Sequence, residues 1–139
     1  PGRLQKVGEY IYYDVAHNQS GIYHAIKTIK TIYSNRKLIV LFCLKNDKDF
    51  DLIIQSFQNN IDKIYVTKDK NGLLTDHQEL SDKLKNVGYK NKPVENVSEG
   101  VSRMKQNINS KGVGLIFGSH YIAEEVYEQF GISFDSGQI

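Results

Sequence analysis

One continuous apolar run constrains the fold of this chain more than any other feature of its sequence. Leu38 to Leu44 carries no charged or amide side chain, and Lys37 and Lys45 bound it. A strand without polar alternation is buried on both faces, as happens when helices cover both sides of a parallel sheet. The run predicts a strand at Lys37–Leu44 in an α/β fold. Because a membrane-spanning helix needs roughly 20 apolar residues, we expect no membrane association.

The rest of the chain alternates between a strand-like and a helix-like hydrophobic period. The other predicted strands are Leu4–Val7, Tyr10–Asp14, Lys63–Thr67 and Val113–Phe117, with a short edge strand at Pro93-Val94. Apolar residues three and four positions apart predict helices at about Ser20 to Tyr33, around Phe50 to Phe57, between Thr75-Asp76 and Gly88, from the N-cap Ser98 through Ile108, and at Ile122–Phe130. The tail from Gly131 to Ile139 shows no period.

The order of these elements predicts the architecture. Two short strands separated by Gly8-Glu9 indicate an N-terminal β-hairpin. The later alternation predicts a doubly wound, Rossmann-like α/β fold: a mostly parallel sheet of about six strands with helices on both faces. Since 139 residues are enough for one hydrophobic core, we expect residues 1–139 to form a single domain.

Charge and cysteine content limit the kinds of partner and compartment. The chain has 18 basic and 16 acidic residues, a net charge of +2, and they are interspersed. A nucleic-acid binder needs a dense basic face, so we do not expect this chain to bind nucleic acid. The single Cys43 cannot form an internal disulfide, and no signal peptide precedes it; both favour the cytoplasm. Because Pro1-Gly2-Arg3 replaces a starting Met, we expect a longer parent polypeptide.

Polar loops follow three of the predicted strands and form the candidate site. In chain order the loops are Val15-Ala16-His17-Asn18, Lys45-Asn46-Asp47-Lys48-Asp49 and Gly118-Ser119-His120. The carboxyl ends of parallel strands share one edge, where helix N-termini also favour anions. We therefore expect Asp14, which ends the first of these strands, to meet two imidazoles, an ammonium group and a hydroxyl there.

Each of these side chains also has a structural interpretation. Asp14 either turns the chain or accepts from paired hydroxyls such as those of a ribose. Asn18 suits a helix N-cap, and capping is the favoured interpretation of the His17-Asn18 pair without further information. Asp47-Lys48-Asp49 is typical of a solvated loop with an N-cap, and Ser119 could cap the last helix.

The sequence contains neither a metal-ligand pattern nor a known phosphate-binding or nucleophile motif. We expect His24 and His77 at the surface, and no metal-ligand spacing links the four histidines with Cys43. The sequence contains no GxxxxGK[ST], GxGxxG or GxSxG motif. An anion-favouring edge without a phosphate-binding loop can hold the outer parts of a nucleotide but is poorly equipped to activate its phosphates. We therefore expect half of a site and no catalytic residue in this chain.

The order of these motifs resembles a known family. Pro1-Gly2-Arg3, then Tyr13-Asp14-Val15-Ala16-His17-Asn18, Asp47-Lys48-Asp49 and Gly118-Ser119-His120-Tyr121 are together similar to the C-terminal domain of folylpolyglutamate synthases, including the bifunctional dihydrofolate synthases, in the Mur ligase superfamily. The resemblance runs through essentially the whole chain. It implies an ATP-dependent ligase that phosphorylates a folate or dihydropteroate carboxylate, joins it to L-glutamate, and releases ADP and phosphate.

The resemblance also implies roles for individual residues. Arg3, Asp14, His17 and Asn18 would bind ATP, with Arg3 at the phosphates and Asp14 at the ribose hydroxyls. Lys48, Ser119 and again His17 would bind glutamate. The P-loop and the Mg²⁺ ligands would lie in an N-terminal domain absent from this chain, so the isolated chain would be inactive.

Two departures from the family pattern concern one loop. Val15 stands where a Gly commonly precedes Ala-His-Asn, and Gln19 stands where a Pro commonly follows it. These exchanges affect the backbone shape of the loop more than the reaction. An alternative hypothesis remains open: a stand-alone ligand-binding or interaction domain in which Asp14, His17 and Ser119 are only turns and caps.

Overall fold

The polypeptide alternates strands and helices after an N-terminal hairpin. The computed structural model describes residues 2–109 and 111–133. Its strands are β1 (Gln5–Gly8), β2 (Ile11–Asp14), β3 (Lys37–Phe42), β4 (Lys63–Val66), β5 (Lys92–Pro93) and β6 (Gly112–Phe117). Its helices are α1 (Gln19–Ile32), α2 (Phe50–Ile54), α3 (His77–Asn86), α4 (Val97–Ile108) and α5 (Ala123–Gln129), with 3-10 turns at Gln55–Phe57 and His120–Ile122. The predicted tail lies, beyond Ser133, outside the described residues.

The strands form one six-stranded sheet in the order β1-β2-β6-β3-β4-β5. Only the β1–β2 pair is antiparallel; the other four pairings within the sheet are parallel. The predicted α/β class, strand number and N-terminal hairpin are therefore confirmed. Because β2, β6, β3 and β4 run in the same direction, the loops that follow them emerge at one edge.

Strand β3 shows why the sheet is covered on both sides. Leu38, Val40 and Phe42 are buried in a cluster that includes the apolar stripe of α1. Ile39 and Leu41 belong to a second cluster that contains the apolar residues of α4 and α5. Alternate residues of one strand thus enter two cores, as the uninterrupted apolar run predicts.

No helix within the described residues has both the length and the apolar character of a membrane-spanning segment.

Three local predictions were wrong. The hairpin turn is Glu9-Tyr10, since Gly8 still pairs with Ile11 across the hairpin. The N-cap of α4 is Asn96, whose Oδ1 accepts from the Glu99 N–H at 2.8 Å.

The third wrong prediction concerns His77, which we expected at the surface. Its side chain is only 13% exposed, with ring nitrogens 3.2 Å from a carboxylate oxygen of Asp76 and 3.8 Å from one of Glu95. Cys43, which directly follows β3, is fully buried as expected, and burial raises the pKa of its thiol above the usual range.

Gly118 allows the ends of β3 and β6 to approach each other closely. Its φ is +121°, and a Cβ at this position would lie 1.7 Å from the carbonyl oxygen of Cys43. The Cys43 N–H in turn donates to the Phe117 carbonyl at 3.2 Å. The loops after β3 and β6 can therefore leave the sheet side by side only if residue 118 has no side chain.

Substitution of Gly118 tests this close approach. We expect Gly118→Ala to lower the free energy of unfolding by at least about 3 kcal/mol, because the methyl group meets backbone that cannot rotate away. The matched control is Gly72→Ala, at φ +73° with open space around it. This control should cost only about 1 kcal/mol. Urea denaturation measures both, and equal losses would contradict the steric argument.

Candidate functional site

The sheet contains a point at which successive helices diverge to opposite faces. Helix α1, which follows β2, packs in one core cluster, and α5, which follows β6, packs in the other. Strands β2 and β6 are direct neighbours, with Asp14 opposite Phe117 at their ends. Loops that separate in this way leave a crevice at the carboxyl edge, and open α/β sheets bind ligands in such crevices.

A cavity of about 630 Å³ lies beside the end of β2. All four residues predicted to bind nucleotide line it, and they come from two segments of the chain: Arg3, Asp14, His17 and Asn18. The first turns of α1 complete the wall. The prediction that these side chains lie near one another is thus consistent with the structure, although they are separated by up to 15 positions.

Asp14 joins the two segments of this cavity. Its Oδ2 accepts from the Leu4 N–H at 3.0 Å, and its Oδ1 accepts from the Ala16 N–H at 2.8 Å. A third hydrogen bond joins the Val15 N–H to the Gly2 carbonyl at 2.6 Å. Although a carboxylate at the end of a strand is normally exposed, Asp14 is only 6% exposed, and two backbone donors depend on it.

Asn18 begins helix α1. Its Oδ1 accepts from the Gly21 N–H at 2.9 Å, which confirms the capping interpretation. The amide N–H₂ group takes no part in this bond. The first turn of α1 contains no acidic residue, and the N–H groups at the start of a helix lack intrahelical acceptors. The start of this helix therefore offers backbone donors and a favourable dipole to an anion in the cavity.

Two further side chains of the cavity are exposed. His17 follows Ala16 in the loop, and its Nδ1 lies 3.3 Å from the Val15 carbonyl oxygen. Arg3 precedes the residue that Asp14 holds, so the Asp14 hydrogen bond to Leu4 sets where Arg3 leaves the sheet edge. A guanidinium and an imidazole at the surface of a cavity can both contact a bound anion.

Ser119 lies at the same edge but is buried. Its Oγ accepts from the Tyr121 N–H at 2.9 Å, so it caps the turn before α5, and only 4% of the residue is exposed. Its carbonyl accepts from the Tyr13 hydroxyl at 2.7 Å, which ties this loop to β2. The capping alternative is thus what the structure shows. The Ser119 hydroxyl keeps its own proton for a further acceptor.

Lys48 belongs to the loop after β3. Its side chain is 29% exposed, and its Nζ lies 4.0 Å from a carboxylate oxygen of Asp47. Asp49 caps α2 through the Leu52 N–H, as expected for this loop. The neighbouring Lys45 lies 5.6 Å from the ring centre of Tyr121, so the loops after β3 and β6 are in contact. Lys48 and Ser119 share the edge with Asp14 but do not line its cavity.

The structure adds residues that the sequence reasoning missed. His24 lines the cavity, four positions along α1 from Ser20, which also lines it. Helical spacing from the N-cap could have identified this face. The loop after β4 reaches the same edge, where Thr75 Oγ1 donates to Asn46 Oδ1. Its buried Asp69 accepts from the N–H groups of two residues that follow it. The sequence could have indicated this loop, because β4 was predicted as a strand of the parallel sheet and its carboxyl end therefore lies at the same edge.

The described residues around the site form no cluster of metal ligands. Within residues 2–109 and 111–133, no three His, Cys, Asp or Glu side chains converge as a metal site would require. Among the described residues that line the cavity, Asp14 is the one carboxylate, and it already accepts two backbone hydrogen bonds. The cavity wall thus fits an anionic ligand and does not by itself hold a divalent cation.

Comparison with known proteins identifies the family. The family model described as "Mur ligase, glutamate ligase domain" matches residues 2–120, and the chain belongs to this family. The dihydrofolate synthase/folylpolyglutamate synthase of Buchnera aphidicola is 29% identical over 128 residues, which cover 89% of this chain and 30% of that protein.

Solved structures have the same fold. A folylpolyglutamate synthase of Mycobacterium tuberculosis, complexed with ADP and AMPPCP, superposes with a TM-score of 0.85 at 22% identity over 96% of this chain and 33% of its own. A bifunctional folylpolyglutamate synthase/dihydrofolate synthase with Mn, AMPPNP and L-glutamate bound gives 0.78 at 20% identity over 92% and 31%. The chain thus spans about a third of the length of these relatives.

The two hydrogen bonds of Asp14 predict a large effect on stability. Asp14→Ala leaves the Leu4 and Ala16 N–H groups without their acceptor, so we expect a loss of about 2 kcal/mol in the free energy of unfolding. The control Asp47→Ala removes an exposed carboxylate that makes only surface ion pairs. It should change stability by less than about 0.5 kcal/mol. Similar midpoints of chemical denaturation for the two variants would contradict this role of Asp14.

Proposed function

We propose that this chain is the C-terminal domain of an ATP-dependent, ADP-forming ligase that adds L-glutamate to folate, and in a bifunctional parent also to dihydropteroate. One observation carries the proposal: Arg3, Asp14, His17 and Asn18 line one cavity beside the carboxyl end of β2. Membership of the glutamate ligase domain family and the one-third coverage of its relatives support it. The parent polypeptide would act in the cytoplasm.

The cavity can hold a nucleotide at its Rossmann-like edge. Arg3 and the first N–H groups of α1 supply positive charge and donors for phosphate oxygens. Each carboxylate oxygen of Asp14 has a second lone pair beyond its backbone hydrogen bond, which can accept from a ribose hydroxyl. The Asn18 amide, whose N–H₂ group is not used in capping, and His17 can donate to the same ligand.

Glutamate would bind toward the loops after β3 and β6. Lys48 can pair with a carboxylate of the amino acid, because its Nζ has only a long contact with Asp47. The Ser119 hydroxyl can donate its proton to glutamate while still accepting from Tyr121. His17, which lines the cavity beside Asp14, would contact both ligands. Each of these contacts is a proposal from family resemblance and the shared sheet edge.

The reaction needs a second domain. Transfer of the γ-phosphoryl group to a folate carboxylate gives an acyl phosphate, and the glutamate amine then displaces phosphate to form the amide. Water must be excluded, and charge compensated, for this step to compete with hydrolysis. A P-loop in an N-terminal domain would hold the phosphates, and Mg²⁺ bound there would neutralise their charge. The present domain would position the ribose, the phosphates and the glutamate against that site.

A stand-alone ligand-binding or interaction domain remains the second candidate. One observation favours it: Asp14, Asn18 and Ser119 each accept a backbone hydrogen bond that the fold uses. On this interpretation the same residues need no substrate to explain them. The two candidates differ in whether a P-loop domain precedes the chain in its parent polypeptide and in whether that polypeptide turns over ATP.

A ligase assay on the parent polypeptide distinguishes them. We expect ADP release that requires L-glutamate together with folate or dihydropteroate, and no ADP release from the 139-residue chain alone. A cell-wall precursor supplied in place of the folate is the control substrate for a related Mur ligase. ADP release that is independent of glutamate, or that occurs only with the cell-wall precursor, would contradict the proposed function.

Ser119 provides a more specific test of the glutamate subsite. Ser119→Ala in the parent polypeptide should raise the KM for glutamate roughly tenfold, the effect of one lost hydrogen bond of about 1.4 kcal/mol, while the KM for ATP stays constant. Ser98→Ala, an exposed serine in the first turn of α4, is the matched control and should change neither constant. An equal effect on every substrate would instead show that Ser119 is only a cap.

A further inference from the structure

A second cavity lies at the opposite edge of the sheet. Its volume is about 730 Å³, and it opens between the β1–β2 turn and the C-terminal ends of α4 and α5. Glu9 and Tyr10 of the turn line it, together with Lys105 of α4 and Phe130 after α5. It shares no lining residue with the cavity at Asp14. Neither the proposed ligase reaction nor the three polar loops use this edge.

Two cations in this cavity lie against aromatic rings. The Arg36 guanidinium carbon is 3.6 Å from the ring centre of Tyr10, and the Lys105 Nζ is 4.9 Å from that of Phe130. Arg36 is held further by its Nε–H, which donates to the Gly112 carbonyl at 2.9 Å. The cation–π contacts and the hydrogen bond fix positive charge next to flat apolar surface. This arrangement exists before any ligand binds.

Neither cation of the cavity forms an ion pair with a described carboxylate. Throughout the described ranges, no carboxylate lies within ion-pair distance of Arg36 or Lys105. Glu9 is the single acidic residue among the described lining residues, so the wall carries two cations and one anion. Two of the five N–H donors of Arg36 bond to backbone carbonyls, which leaves donors for another acceptor. A volume of this size is typical of small-molecule sites.

We propose that this cavity binds a small aromatic anion. Its acidic group would pair with Lys105 and with the remaining donors of Arg36, and its ring would lie against the aromatic wall formed by Tyr10 and Phe130. Charge complementarity selects an anion, and the ring-lined wall selects a planar apolar body over a simple inorganic ion. This proposal does not depend on the ligase function, because it concerns a different edge and different residues.

A matched pair of probes tests the charge requirement. In an amide NMR titration of the 139-residue chain, 1-naphthoate should shift the Glu9, Tyr10, Lys105 and Phe130 signals with a single saturating curve. Its uncharged analogue 1-naphthamide should bind at least about threefold more weakly, since it lacks the ion pair. Equal affinities for the two probes, or shifts confined to the residues around Asp14, would overturn the proposal.

Charge variants predict changes of opposite sign. Lys105→Gln should weaken 1-naphthoate binding roughly threefold, the value of one exposed ion pair, whereas Glu9→Gln should strengthen it because a like charge is removed. Lys85→Gln is the matched control, since Lys85 occupies the last turn of α3 as Lys105 occupies that of α4. Glu9→Gln leaves the contacts of Arg36 and Lys105 with the aromatic rings intact. Unchanged binding by the Lys105 variant, or weaker binding by the Glu9 variant, would contradict the proposed site.

Discussion

The carboxylate of Asp14 is the interaction on which the candidate site depends. It lies at the end of a buried parallel strand and accepts one hydrogen bond from each of two separate segments, through the Leu4 and Ala16 N–H groups. Together with the hydrogen bond from the Val15 N–H to the Gly2 carbonyl, it holds the segment that carries Arg3 beside the loop that carries His17. These contacts form the wall of the cavity, and the start of α1 supplies its positive end.

Two polar side chains at this edge cap a helix or turn and still have a donor that the cap does not use. Asn18 begins a helix with its carbonyl oxygen and keeps its N–H₂ group, and Ser119 accepts from a backbone N–H and keeps its hydroxyl proton. A side chain that is already held by the fold loses little conformational entropy when a ligand binds to its remaining donor. The capping and ligand-binding interpretations of these residues are thus compatible, and only measurements with substrates separate them.

The sequence predicted those features that depend on local pattern. The apolar run at Leu38 to Leu44 correctly predicted a strand buried on both faces, and the three- and four-residue spacing located the helices. Features that depend on distant contacts were not readable. The insertion of β6 between β2 and β3 follows from long-range pairing, and the burial of Asp14 follows from the return of the segment near Leu4.

Local competition explains the smaller errors. Asn96 and Ser98 are both good N-cap residues, but it is Asn96 whose Oδ1 accepts from the Glu99 N–H, and Ser98 lies inside the first turn of α4. His77 follows the N-cap of α3 and was expected in solvent, but the nearby Glu95 carboxylate lies against its ring. In each case the deciding contact comes from packing that a periodic pattern does not record.

Hydrogen–deuterium exchange of the parent polypeptide with and without a non-hydrolysable ATP analogue tests the central claim most directly. If the cavity beside the end of β2 binds the nucleotide, amides from Asp14 to Gly21 should gain protection while those of the β1–β2 turn stay unchanged. Tight binding of the analogue without any added protection at Asp14 to Gly21 would contradict the account.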